Sequence, residues 1–213
     1  MARTVKRKYN SSRRDEQARE TRLRIVRAAH DLFVAKGYGR TTIAEMAAEA
    51  GVAVETVYAA FRNKATLLEE AWFVTFRGDE EDVPLYDRAE MRAILAEPDL
   101  VTRTRRHAEF VTSNNRRMAP LYAALVGAAA HEPAAADMLA TYADRRLDVA
   151  TRYARAAAST GQLAVSQAEC RDVLFATMDG ALWQRLVADR GWSDQRYAAW
   201  LANLWLATLC VSD

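Results

Sequence analysis

Residues Thr41 to Leu68, TTIAEMAAEAGVAVETVYAAFRNKATLL, restrict the fold more than any other stretch of this chain. Thr42 is a good N-cap, and Glu45 three residues later completes a capping box. Ile43, Met46 and Ala47 then fall at i, i+3 and i+4, which makes one helix face apolar. Gly51 follows, a residue that takes the left-handed backbone a sharp turn requires. Val54, Val57, Tyr58 and Phe61 space a second helix, with Val54, Val57 and Phe61 on its core side. Asn63 caps a third, whose first turn holds Lys64. Two short helices joined by a turn of about three to four residues make a helix-turn-helix. Such a braced short helix is a means of placing side chains in a DNA major groove.

The rest of the chain agrees with an all-α fold. It has 213 residues, 51% of them hydrophobic, with eight glycines and four prolines. That is enough apolar material for a substantial core, and few residues break helices. No alternating run reads as a strand, no apolar stretch is long enough to span a membrane, and the basic N-terminus lacks an apolar signal core. Cys170 and Cys210 lie far apart without metal spacing and read as small hydrophobes of a cytosolic protein.

Charge is unevenly placed. Residues 1–30 carry ten basic side chains against three acidic ones, whereas 79–99 carry eight acidic against two basic. A basic end and an acidic middle direct only the N-terminal end toward a polyanion.

The motif pieces are Ile25-Val26-Arg27-Ala28-Ala29, Leu32-Phe33, Gly37-Tyr38, Thr41-Thr42-Ile43-Ala44-Glu45-Met46-Ala47, Ala50-Gly51-Val52, Thr56-Val57-Tyr58, Phe61 and Asn63-Lys64-Ala65-Thr66-Leu67-Leu68. With them, residues 25–68 resemble the N-terminal DNA-binding domain of the TetR family of bacterial transcription regulators. The resemblance implies a three-helix DNA-binding domain followed by a helical effector-binding and dimerisation domain, about nine helices in all. The expected division is a flexible basic arm at 1–12, the helix-turn-helix domain at 13–63, a connecting helix at 64–78 and the second domain at 79–213.

The resemblance makes Val54–Phe61 the recognition helix. By position, Thr56 and Tyr58 contact phosphate or base edges, and Thr42 and Lys64 hold the DNA backbone. Glu55 fits either a contact to a cytosine amino group or an exposed helix charge, and Val54 can touch a thymine methyl. Ala53 stands where the family often has a capping Ser. Ala59 and Ala60 stand where it often has larger side chains. Specificity therefore leans on few residues and on the arm, where Arg3, Lys6, Arg7 and Lys8 are placed to reach the minor groove or flanking phosphates.

Five helices are expected after the acidic stretch: Asp99–Asn114, Arg116–Ala130, one from Pro133 to Gly161, one from Ser166 to about Arg190, and one capped by Ser193. Gly180 inside the fourth suggests a close helix crossing, and Gly180, Trp200, Leu201, Leu204 and Trp205 are the expected homodimer interface. Phe110, Met118, Tyr122, Leu125, Tyr142, Phe175, Met178 and Trp183 supply aromatic and thioether surface for a bulky, largely apolar effector. His107, Arg106, Glu109, Arg145 and Asp179 are polar anchors, or else surface charges and satisfied core groups. The scattered histidines form no HExxH pair, and no nucleophile elbow or phosphate loop is present, so neither catalysis nor a cofactor is expected. The reading is a cytoplasmic, nucleoid-associated homodimeric regulator of a near-palindromic operator, most simply a repressor released by a small molecule. The alternative is a DNA-binding helical protein whose second domain binds a protein partner.

Overall fold

The computed structural model describes the backbone of residues 3–77 and 85–211, and side chains within these ranges from residue 14 onward. Ten α-helices are present among the described residues: α1 (Arg3–Lys36), α2 (Ile43–Ala50), α3 (Val54–Ala60), α4 (Lys64–Arg77), α5 (Ala89–Ala96), α6 (Leu100–Ala129), α7 (Pro133–Ala158), α8 (Gln167–Thr177), α9 (Gly180–Trp183) and α10 (Asp194–Leu209). A 3₁₀ turn, Leu85–Asp87, precedes α5, and a π-helical turn, Gln184–Ala188, follows α9. No strand occurs among the described residues; Leu163 and Cys210 form one isolated bridge.

Three boundaries differ from the sequence expectation. α1 begins at Arg3, within the stretch 1–12 expected to be a flexible arm, since nothing from Arg3 to Ser12 breaks a helix. The helices expected at Asp99–Asn114 and Arg116–Ala130 are one, with Pro120 inside it. Pro120 is exposed, so the carbonyl it leaves unbonded lies on a face open to water. The helix expected from Ser166 to Arg190 stops at Thr177. Asp179 then caps a fresh start, its side chain accepting from the Ala181 N–H at 3.0 Å. Gly180 is therefore the first residue of α9 and not an interior helix glycine. A Cβ there would lie 3.7 Å from the Tyr122 ring of the same chain, an ordinary contact distance.

The chain divides into two compact units, Met1–Val74 with Ala123–Ala136, and Thr75–Tyr122 with Asp137–Asp213. In the first, Ile25, Ala29 and Phe33 of α1, Met46 of α2, Val57 of α3 and Leu67 of α4 are fully buried. The core of the second gathers Leu100, Ala108, Ala150, Tyr153, Cys170, Leu174, Tyr197, Leu201 and Trp205, drawn from α6, α7, α8 and α10. Arg103 is buried there without a carboxylate. Its guanidinium donates to the Glu97 carbonyl from Nε (2.7 Å) and Nη2, and to the Ala156 carbonyl from Nη1 (2.6 Å). It thus donates to carbonyls near the ends of α5 and α7, of which that of Ala156 also accepts from the Ser159 hydroxyl at 2.8 Å.

Candidate nucleic-acid interface

The helix-turn-helix is set by local chemistry. The Thr42 hydroxyl accepts from the Glu45 N–H at 3.2 Å while the Glu45 carboxylate accepts from the Thr42 N–H at 2.8 Å. Lys36 donates to the same carboxylate at 2.9 Å. These bonds, that of Lys36 first and those of Thr42 next, hold the Glu45 pKa down to about 2. At the other end of α2, Gly51 has φ 64° and ψ 41°. The Val52 N–H reaches the Ala47 carbonyl at 2.9 Å and the Gly51 N–H that of Ala48 at 3.1 Å, a Schellman ending. No side chain stands within 4 Å of a Cβ built at Gly51, so backbone angle and not space selects glycine there.

α3 begins without a side-chain cap, because Ala53 has no acceptor. Its inner face is Val57, fully buried, followed by Phe61 at the C-cap. Its outer face is Glu55, Thr56, Tyr58 and Ala59, all exposed, with Val54 half-buried at the edge. Tyr58 is 54% exposed, an unusual position for a large aromatic ring, so packing against neighbours does not account for it. The structure thus brings Val54, Glu55, Thr56 and Tyr58 together on one helix. It also puts Thr42 and Lys64 at the starts of the flanking helices.

Lys64 and Thr42 already have partners in the chain. The Lys64 ammonium donates to the carbonyls of Tyr38 (2.9 Å) and Thr41 (3.2 Å) and sits 4.1 Å from the centre of the Tyr38 ring. It therefore ties the α1–α2 connection to α4, with one N–H left for another acceptor. The Thr42 hydroxyl is engaged with Glu45 in both directions.

In the sequence Arg22 is only one charge of the basic end. In the structure it is a strut. Its Nη1 donates to the Ala60 carbonyl at 2.8 Å, its Nη2 pairs with Glu70 at 2.6 Å, and its guanidinium lies 4.1 Å from the centre of the Phe61 ring. It ends α3 and joins it to α1 and α4. No local pattern announces this, since the partners lie 38 and 48 residues away. Arg7 and Lys8 fall outside the described side chains.

In the second unit, Met118, Tyr142 and Met178 are buried and Phe110, Tyr122, Phe175 and Trp183 half-buried. Of these, Met178 belongs to the core and Phe110, Phe175 and Trp183 pack against it. Leu125 belongs instead to the first unit, so these eight residues do not form one lining within either unit. The expected dimer surface also needs correction. Leu201 and Trp205 are fully buried within a single chain, where Trp205 Nε1 donates to Thr177 Oγ1 at 2.7 Å, and neither has surface to offer a partner. Trp200 and Leu204, on the outer side of the same stripe, keep part of theirs.

A small helical unit that buries Val57 and Phe61 and displays Glu55, Thr56 and Tyr58 defines a helix-turn-helix. Residues 25–71 match the sequence profile of the bacterial regulatory proteins, tetR family. The HTH-type transcriptional regulator TtgR of Pseudomonas putida is 44% identical over 57 residues, which span 27% of this chain and 27% of that protein. The match thus covers about a quarter of that relative's length. NalD of Pseudomonas aeruginosa, described as the secondary repressor of the MexAB-OprM multidrug efflux pump, superposes with a TM-score of 0.68 at 18% identity, over 93% of this chain and 100% of NalD. A complex of SmeT with triclosan superposes with a TM-score of 0.64 at 24% identity, over 91% of this chain and 93% of SmeT. At these identities the likeness to solved structures is one of fold. No helix among the described residues is long and apolar enough to cross a membrane.

Proposed function

We propose that the protein is a ligand-responsive repressor that binds a near-palindromic operator as a homodimer. Residues 13–63 dock on the duplex, 64–78 connect, and 79–213 bind effector and dimerise. One observation carries the reading: α3 turns Glu55, Thr56 and Tyr58 outward while Val57 and Phe61 anchor it. Thr56 and Tyr58 supply hydroxyls for phosphate or base edges, and Glu55 an acceptor for a cytosine amino group. Two such helices related by a dimer axis enter successive major grooves about 34 Å apart. Trp200 and Leu204, half-buried in one chain, are the dimer residues that remain from the sequence expectation. The half-buried aromatic residues of the second unit favour a largely apolar effector.

The test is binding of the full chain to the promoter fragment that it retains at physiological salt. Thr56→Ala combined with Tyr58→Phe is expected to weaken binding by at least tenfold while leaving the thermal midpoint unchanged, since both hydroxyls face outward. Removal of residues 1–12 is expected to weaken it and flatten its dependence on salt, because Arg3, Lys6, Arg7 and Lys8 release counterions on binding. Undiminished binding by the double variant overturns the role given to α3, and an unchanged salt slope overturns the role given to the arm.

A further inference from the structure

Among the polar side chains in the core of the second unit, His107 has two buried atoms that its own fold leaves unserved, and the Tyr197 hydroxyl is one more. Thr104 Oγ1 and the Tyr153 hydroxyl lie 3.2 Å apart, the Thr112 hydroxyl donates to the Ala108 carbonyl at 2.7 Å, Asn115 donates to the Asp179 carbonyl, and each of the three Arg103 nitrogens donates to a carbonyl. His107 sits among them on α6, fully buried, and neither Nδ1 nor Nε2 has a hydrogen-bond partner among the described residues. A buried imidazole with both nitrogens unserved departs from the general rule that buried polar groups are paired.

The surroundings define what is missing. Tyr153 stacks on the imidazole at 4.2 Å with the planes 14° apart, Trp205 is tilted at 5.3 Å, and Phe110 lies near-parallel at 6.5 Å. These walls are aromatic and bear no formal charge. Burial lowers the His107 pKa to about 3, so the ring is neutral at ordinary pH, with one N–H donor and one bare acceptor. Phe110 is only half-buried. Trp205 bonds to Thr177, the last residue of α8, just before the break at Asp179, and a π-helical turn follows α9; such turns are frequent at functional sites.

We propose that His107 is the polar anchor of an internal ligand site in the second unit, and that its occupant is a neutral, planar aromatic molecule bearing a hydroxyl group. The assignment rests on the reading of this unit as effector-binding. A hydroxyl donates to the bare ring nitrogen, and a ring system completes the stack with Phe110, Tyr153 and Trp205. A carboxylate would be desolvated here against aromatic walls, and each Arg103 nitrogen already donates to a carbonyl. A quaternary ammonium would suit the aromatic walls but leave both nitrogens as they are.

The full chain is tested with four probes: 2-naphthol, naphthalene, 2-naphthoate and choline. 2-Naphthol is expected to raise the thermal midpoint and to bind about tenfold tighter than naphthalene, the ratio one well-made hydrogen bond supplies. His107→Phe keeps the stacking and removes both nitrogens. It is expected to melt no lower than the wild type and to bind 2-naphthol and naphthalene equally. Independently of any variant, the His107 ring nitrogens of ¹⁵N-histidine-labelled protein are expected to shift on saturation with 2-naphthol. The proposal is overturned if His107→Phe retains the preference for 2-naphthol, or if those resonances stay in place. Binding of naphthoate or choline that His107→Phe leaves untouched also overturns it, while the effector reading stands. If none of the four probes binds, the His107 assignment fails, and release of the promoter fragment by a wider compound screen decides the effector reading separately.

Discussion

The two units solve the same problem, closing helices on one another, by different means. In the first, nearly every decisive polar contact ends a helix or a turn: Thr42 and Glu45 begin α2, Gly51 ends it, Arg22 ends α3, and Lys64 closes the connection before α2. In the second, long helices are held by a large apolar core, and the polar groups inside it are few. The first unit is therefore a rigid platform with Glu55, Thr56 and Tyr58 outside. The second is a packed interior in which one histidine is left unpaired. The contrast suits a division of labour: a reading surface needs fixed geometry, whereas a binding interior tolerates an unpaired group that a guest can satisfy.

The largest expected effect that sharpens this contrast is in the second core. Trp205 is fully buried and also donates to Thr177. Trp205→Ala is expected to cost about 3–5 kcal/mol through the cavity it leaves. The loss should appear as faster amide exchange in α8 and α10, with exchange in α2 and α3 close to wild type. Equal acceleration in both units would show that the core and the platform are one cooperative body.

How much of this is legible in the chain follows the same contrast. The Thr42–Glu45 box, the Gly51 turn, the Asn63 and Ser193 caps and the buried Val57 are readable, since each signal and its effect lie within a few residues. The roles of Arg22 and Lys64 are not, because their bonds span between 23 and 48 residues. Pro120 reads as lying near the start of the helix expected at Arg116–Ala130 and proves to be an exposed interior residue of α6. The break after Thr177 carries no proline and no glycine ahead of Asp179, so periodicity runs straight through it. On α10 the apolar stripe reads as one surface. Folding divides it, taking Leu201 and Trp205 inside and leaving Trp200 and Leu204 at the edge. Among the site residues, the outward face of α3 follows from helical spacing. The isolation of His107 does not, since it depends on what four helices fail to provide.

A smaller effect tests whether the platform's caps are as good as they can be. Ala53 precedes α3 in extended geometry, φ −72° and ψ 150°, without a side-chain acceptor. Those angles suit a capping serine. Ala53→Ser is expected to raise stability by about 1 kcal/mol, read as a higher urea midpoint with unchanged slope. The same change adds a hydroxyl beside the outward face, so binding to the promoter fragment should be unchanged or tighter. A lower midpoint would mean that the start of α3 is fixed by packing around Val57 and Phe61 and not by its cap.

The smallest expected effect concerns the start of α2. Glu45 accepts from Lys36 and from Thr42, and its pKa falls from the ordinary 4.5 to about 2. A carboxyl whose folded value lies below its unfolded one stabilises the fold in its ionised form. The contribution is therefore complete above pH 4.5 and is lost as pH falls from there toward 2. Glu45→Gln removes the charge but keeps an acceptor for the Thr42 N–H. The difference in urea midpoint between wild type and Glu45→Gln should be constant from about pH 7 down to about 5 and shrink steadily below that. Because the Lys36–Glu45 pair is exposed, high salt should also shrink it at neutral pH. A difference independent of both pH and salt would assign the role of Glu45 to its hydrogen bonds alone. The platform would then rest on geometry at this cap, as it does at Gly51.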